Sequence, residues 1–413
     1  MRPIPFLKRF FSSRGQPLGL RFSVFYWTVF LQIGIALPFW PLVLASRGLT
    51  AAEIGFVAAS APAARMLVGP LLGFAFDRYR LGRGFLFALA ALSAIGLTAF
   101  GVVRGFGPIL VLTLLVAPLY PSIMPLVDAH AIRQAETQGL DFGRMRMWGS
   151  MGFVCANLCG GALIVGSNPM MILGLVVGAT LLGALAAPIL PPLNEPVSAQ
   201  SMRPDWSMAG SLLRAPAFLT VTLIAGGIQA THALLYSFGS LGWRAQGLSE
   251  TSIGLLWAVG VLAEVVLLSQ TKPLLRRLGP EGLLVLGGVA CVLRWAAMMF
   301  EPPLALLFAL QLLHAFTFAA TYVAGLHLVQ RVAPRNLVAT GQALYAAIAS
   351  GLLFSTATAA SGVLFGAFGS RAYLAPALVA GIGAVAAVLL LRRRSNGAQA
   401  LTISPTAPGP VEP

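Results

Sequence analysis

The sequence predicts an all-α integral membrane protein, with twelve transmembrane helices in two pseudo-symmetric six-helix bundles. Three observations carry this prediction. Of the 413 residues, 58% are hydrophobic and 9% are charged, against about 25% charged in soluble globular chains. Apolar runs recur at lengths that reach the ~20 residues a helix needs to cross a bilayer. The chain also repeats itself at an offset close to 199 residues. Lipid demands that backbone polar groups be satisfied inside helices or closed barrels. These runs are too long and too continuous for barrel strands of alternating polarity.

Residues 1–17 form a basic tail that carries Arg2, Lys8, Arg9 and Arg14. The run from Leu18 to Ala45 exceeds a signal-peptide core and lacks a clear small-residue cleavage site, so it reads as a retained first helix kinked by Pro38. Further apolar runs fall at 51–76, 82–103, 107–133, 142–166, 169–190, 215–243, 250–275, 280–300, 303–331, 337–366 and 369–391. The first bundle therefore spans 18–190 and the second 215–391. The segment 191–214, with Pro191, Pro192, Glu195, Arg203, Pro204, Asp205 and Arg214, is a polar cytoplasmic linker. The tail 392–413 turns small, polar and proline-rich after Arg394 and is expected to be a disordered cytoplasmic tail.

Lysine and arginine give the orientation. Connections on one side hold 21 of them, and those on the other hold four: Arg47, Arg104, Arg244 and Arg371. Both termini and the linker are thus expected in the cytoplasm, in a bacterial inner membrane. The net charge of +15 reads as topology rather than as nucleic-acid binding. Cys155, Cys159 and Cys291 all lie in apolar runs, which suits neither a disulfide framework nor a zinc site. No nucleotide loop, HExxH or paired cysteine–histidine pattern appears, so no enzyme, metal or cofactor is expected.

The repeat is visible at two helix starts. Gly48-Leu49-Thr50-Ala51-Ala52-Glu53-Ile54-Gly55 matches Gly247-Leu248-Ser249-Glu250-Thr251-Ser252-Ile253-Gly254. Thr50 and Ser249 stand where N-caps belong, and Thr50 with Glu53 fits a capping box. Arg80-Leu81-Gly82 matches Arg277-Leu278-Gly279; His130 matches His327, and Gly143 matches Gly341. Halves repeated about an axis along the membrane normal are a transporter signature. Arg65 and Glu264 then occupy equivalent positions, 199 residues apart.

Several segments resemble the major facilitator superfamily, and within it the phenylpropionate permease group. They are Pro125-Leu126-Val127-Asp128-Ala129, Leu140-Asp141-Phe142-Gly143-Arg144-Met145-Arg146-Met147-Trp148-Gly149-Ser150, Gln229-Ala230-Thr231-His232-Ala233, Leu262-Ala263-Glu264-Val265, Arg294-Trp295 and Gln311-Leu312-Leu313-His314. The stretch from Gly73 to Arg83 is similar to the superfamily's loop between helices 2 and 3, with altered glycine and basic spacing. The resemblance implies a gating role for Asp77 and Arg78. It also implies a proton-coupled permease related to lactose permease, importing aromatic carboxylates such as 3-phenylpropionate. Some relatives are nucleoside symporters. Lactose permease has a second acid shortly after its helix-10 histidine, where this chain has Thr317.

Glu264 is the pivotal residue. A carboxylate at bilayer depth costs roughly 2.5–3.5 kcal/mol on insertion scales, so it needs a partner, a cavity or a proton. One reading makes it a structural mate for Arg294 or Arg65. The other makes it a proton carrier, whose affinity switches as an arginine moves between it and a substrate anion. Glu264, His314 and Arg294 are the expected coupling residues. Arg65, its guanidinium suited to a carboxylate, is the expected anion site. Gln229, His232 and Tyr236 form a polar stripe at helical spacing, and Gln311 shares a face with His314. Phe39, Trp40, Gln342 and Tyr345 complete the expected substrate-binding set, while His130 and His327 read as structural. Asp128 with Arg144 or Arg146 is expected to form an inter-helix ion pair that gates the cytoplasmic face.

The sequence thus points to a monomeric proton-coupled symporter of a small organic solute, in contact with lipid and not with nucleic acid. A nucleoside or sugar proton symporter, or a drug/proton antiporter of the same fold, is the alternative.

Overall fold

The computed structural model describes residues 16–79, 81–164, 166, 168–192, 206–334 and 337–395. Most of the linker and of the two tails expected from the sequence lies outside the described residues. Among those described, twelve helical passes follow one another with no strand. They are α1 (Gln16–Ser46), α2 (Ala51–Arg78), α3 (Arg83–Ala99), α4 (Phe106–Val116, resuming as Ile123–Gln138), α5 (Phe142–Leu163) and α6 (Pro169–Ala186). After a short amphipathic helix, Trp206–Arg214, come α7 (Pro216–Ala230, resuming as Ala233–Ala245), α8 (Glu250–Ser269), α9 (Thr271–Met298), α10 (Leu304–Val332), α11 (Val338–Phe368) and α12 (Leu374–Ser395).

Four passes that read as unbroken in the sequence are interrupted, and a fifth, α9, begins with a short helical segment ahead of the run expected from residue 280. In α4, Pro118 and Pro121 lie within the break, since proline removes a backbone donor and clashes with the preceding turn. In α7 the turn tightens at Thr231 and His232, whose amides bond Ile228 and Gln229 three residues back. In α9, Gly279 adopts φ 67°, a left-handed conformation open to glycine, and Pro280 follows it. Helices α10 and α11 each contain a π-helical stretch, Ala315–Ala320 and Ala347–Leu353. Such widened turns concentrate at functional sites because they free carbonyls and re-aim side chains. By contrast, α1 continues through Pro38 and Pro41.

Two compact units result. The first comprises residues up to 49, 60–200 and 243–258; the second comprises 50–59, 201–242 and 259 onward. In the first, α1 packs on α5 and α6. Glycines let the α1 and α5 backbones meet: a Cβ at Gly34 would lie 2.6 Å from the Phe153 carbonyl, and one at Gly152 would lie 2.5 Å from that of Trp27. In the second unit, α9 packs on α12, and α7 packs on α10 and on the π-helical stretch of α11. Large apolar side chains such as Leu71, Phe74, Ile95, Ile382 and Val385 remain exposed, as a lipid-facing surface requires.

The repeat persists in the backbone. Gly48 and Gly247 both adopt φ 84°. Thr50 and Glu53 close a reciprocal capping box, with Thr50 N to Glu53 Oε2 at 2.8 Å and Glu53 N to Thr50 Oγ1 at 3.3 Å. The Ser252 amide donates to Ser249 Oγ at 3.2 Å at the matching place. Beyond these caps each helix meets a partner backbone through glycine. In the second unit a Cβ at Gly55 would lie 2.6 Å from Gly362 Cα on α11. In the first, a Cβ at Gly161 on α5 would lie 2.6 Å from the Glu250 carbonyl, and Gly254 faces Asn157 O.

Candidate functional site

The polar cluster of the second unit forms where the broken α7, the middle of α8, α9 and the widened turn of α10 converge. Glu264 on α8 places Oε2 3.6 Å from His314 Nε2. On the far side of that imidazole, Arg294 Nη1 donates to His314 Nδ1 at 3.2 Å. The same nitrogen donates to Thr317 Oγ1 at 3.0 Å, and Nη2 donates to Gln311 Oε1 at 2.6 Å. Arg294 is fully buried (0% exposed) and has no carboxylate partner among the described residues.

Donor and acceptor roles follow from chemistry. A guanidinium can only donate, so His314 Nδ1 accepts and the ring's proton sits on Nε2, facing Glu264. His232 Nδ1 lies 3.0 Å from the Gln229 carbonyl, which can only accept, so Nδ1 carries that ring's proton. His232 Nε2 then accepts from Thr317 Oγ1 at 3.0 Å. Thr317 is the junction, accepting from Arg294 and donating to His232. Both imidazoles are neutral in this arrangement.

The π-helical stretch makes the junction possible. It turns His314, Thr317 and Phe318 toward α7 and α9, and its free carbonyls are used. Gln229 Nε2 donates to Phe318 O at 2.8 Å and to Thr321 Oγ1 at 2.5 Å. Rings surround the cluster. His314 stacks on Phe318, with centroids 5.2 Å apart. His232 meets Trp295 edge-on at 5.2 Å, and Tyr236 lies 5.9 Å from Phe354. Tyr236, Phe318 and Phe354 are half-buried, so this aromatic wall borders the buried charges.

The other predicted residues fall elsewhere. Arg65 belongs to the first unit, is exposed, and makes no hydrogen bond or ion pair among the described residues. Phe39 and Tyr345 are buried in helix packing, with the Tyr345 hydroxyl against Gly325. Trp40 sets its edge on Phe100 at 5.0 Å. Gln342 donates to the Leu326 carbonyl at 2.7 Å. His130 is buried, and His327 lines a recess beside Arg331, which ion-pairs with the buried Glu281 of α9.

Among the described residues Asp128 forms no ion pair at contact distance with Arg144 or Arg146, although the nearby Arg146 charge acts on it. Asp128 Oδ1 accepts from Tyr26 Oη at 2.6 Å. Arg144 pairs within its own helix with Asp141 at 3.5 Å, because Asp141 is the α5 N-cap three residues away. The Arg146 guanidinium lies 4.2 Å over the Phe30 ring and 5.6 Å from that of Tyr26. Arg78 is exposed at the end of α2, and the side chain of Asp77 lies outside the described residues. Sequence reasoning missed Thr317, Phe354 and Tyr26 as participants. The only available signal was Thr317 and Thr321 four residues apart beside His314.

The long apolar helices mark a multi-pass membrane protein, and the second unit carries a buried polar cluster. The chain belongs to the MFS_1 like family, whose model matches residues 20–375. It is 30% identical to the probable 3-phenylpropionic acid transporter of Escherichia coli (strain K12), over 89% of this chain and 95% of that one. It is 29% identical to the maltose permease of Geobacillus stearothermophilus, over 80% and 84%. A crystal structure of the nucleoside transporter NupG in a mutant form superposes with TM-score 0.80 at 18% identity, covering 90% of this chain and 99% of that one. A bacterial homologue of the human lysosomal transporter Spinster, inward-facing and occupied, superposes with TM-score 0.68 at 16% identity, covering 92% and 98%. The fold is the major facilitator fold and the protein is a secondary transporter.

Proposed function

We propose that the protein is a proton-coupled symporter that imports a small organic acid, an aromatic monocarboxylate such as 3-phenylpropionate, by alternating access across the bacterial inner membrane, with both termini cytoplasmic. The observation that carries this reading is the line of Glu264, His314 and Arg294. A neutral imidazole separates a carboxyl from a buried guanidinium. With Glu264 ionised, the two charges balance across the ring. With Glu264 protonated, Arg294 keeps its charge and the cluster needs another anion. A substrate carboxylate supplies it, so proton and anion travel together and transport is electroneutral. His314 relays the proton, and the exposed Arg65 captures the incoming anion. The likeness to a 3-phenylpropionic acid transporter supports the substrate class.

The test is uptake of labelled 3-phenylpropionate into proteoliposomes under an imposed pH gradient, with protein-free vesicles to measure leak of the free acid. Wild type accumulates the acid, while Glu264→Gln exchanges it without uphill accumulation. Retained uphill uptake in Glu264→Gln sinks the coupling assignment. The absence of protein-dependent uptake in wild type moves the substrate to nucleosides, sugars or drugs. The maltose permease relative places sugars first in that screen.

A further inference from the structure

Two buried donors in the cluster, Arg294 Nε and Gln311 Nε2, have no acceptor among the described residues. They sit on side chains already joined to each other at 2.6 Å, and Gln311 is 3% exposed. A guanidinium has five N–H groups. Arg294 uses two from Nη1 and one from Nη2, which leaves Nε–H and one hydrogen of Nη2. Nε shares a planar edge with one Nη, and such an edge binds a carboxylate bidentately. Native proteins seldom bury unsatisfied polar groups, so two adjacent ones need an explanation. Arg294 has no carboxylate in direct contact among the described residues, which sharpens that need.

The geometry points to this Arg294 edge, together with the Gln311 amide, as the seat of the substrate carboxylate. This rests on the symporter reading above and adds the seat to it, reached after capture at Arg65. The donors specify the ligand: two or three N–H groups and one positive charge fit a carboxylate, whereas a neutral sugar hydroxyl leaves the charge unanswered. The wall of Tyr236, Phe318 and Phe354 borders the same cluster through His232 and His314 and receives the apolar body. Gln311 thereby becomes a specificity-determining residue, because its carbonyl orients Arg294 and its amide faces the ligand.

The experiment compares 3-phenylpropionate with its uncharged near-isostere 3-phenylpropionamide, each displacing labelled 3-phenylpropionate, or labelled amide where the acid binds poorly, from the purified full-length protein. Binding is read without a proton gradient, so loss of coupling cannot mimic loss of the seat. Wild type should prefer the acid by about tenfold or more, the scale of a charge-assisted bidentate pair. Gln311→Glu should lose the acid and keep the amide, since its own carboxylate satisfies Arg294; that variant also answers the orphan donor and so should fold. Gln311→Leu and Arg294→Lys should lose most of the preference. Preference retained in Gln311→Glu and Arg294→Lys, or lost only in Arg65→Lys, overturns this seat and leaves the aromatic-acid reading standing. A wild type that binds both probes equally, or neither, overturns that reading and the seat with it.

Discussion

Asp128 in the first unit and Glu264 in the second are both carboxyls within apolar helices, and their surroundings differ in kind. Asp128 accepts a short hydrogen bond from the Tyr26 hydroxyl, and the nearby Arg146 rests on aromatic faces. Glu264 faces an imidazole whose other nitrogen is held by a guanidinium. The hydrogen-bond partner of Asp128 is a phenol, a group that ordinarily holds its proton far above neutrality. An imidazole carries a donor and an acceptor nitrogen on opposite edges, so it can take a proton on one side and release it on the other. On the proposal above, coupling resides in the second cluster, and the first serves to hold the helices.

The largest expected effect breaks this comparison directly. Glu264→Gln should abolish gradient-driven accumulation, while Asp128→Asn should retain accumulation at a reduced rate. Both are read by uptake into proteoliposomes with and without a pH gradient. If Asp128→Asn is the variant that uncouples, the roles of the two clusters are exchanged.

Thr317→Val tests the switching cluster at its junction. It removes the acceptor for Arg294 and the donor for His232 while keeping the volume. Leaving one buried charged donor short costs ~1–3 kcal/mol, so uptake should fall about tenfold, at the 1.4 kcal/mol per decade that relates energy to rate. Thr317→Ser restores the hydroxyl and should restore uptake. Failure of serine to rescue would mean that the threonine acts by packing alone.

Much of this was legible in the sequence. Composition and run length define the helical membrane class, and the matched caps at Thr50 and Ser249 reveal the duplication. Glu264, Arg294 and His314 stand out because ionisable groups at bilayer depth are costly and therefore rare. What was hidden is local geometry. Nothing in Ala315–Ala320 announces a π-helical turn, and that turn brings Thr317 into the cluster. The hydrogen-bond partner of Asp128 is hidden for a similar reason. Charge pattern favoured the arginines at 144 and 146, but a hydroxyl 102 positions earlier in the chain reached it first. Periodicity reports which face a residue occupies and is silent on which neighbour arrives there.

Tyr26→Phe tests the holding cluster with a smaller expected effect. The hydrogen bond to a charged group contributes about 1.5–3 kcal/mol, and its loss leaves Asp128 within an apolar bundle. Thermal unfolding in detergent should show a lower midpoint, and uptake should fall about threefold to fivefold with coupling intact. An uncoupled Tyr26→Phe would show that the first cluster also switches.

The smallest effect concerns how each arginine is held. Arg294 is fixed by three directional hydrogen bonds, whereas Arg146 lies over Phe30 and so keeps its guanidinium edges for other partners. A cation over a ring face is worth about 1 kcal/mol, rising when water is excluded. Phe30→Leu keeps an apolar side chain of comparable reach and removes the ring's negative face. The Arg146 side chain should then loosen, with a two- to fivefold loss of uptake and no change in the ratio of gradient-driven to exchange transport. A larger loss would mean that Arg146 binds substrate itself, held by the ring in a ligand-ready pose. The same variant measured with the uncharged amide separates these cases, because a structural loosening slows both probes alike and a lost anion contact slows only the acid.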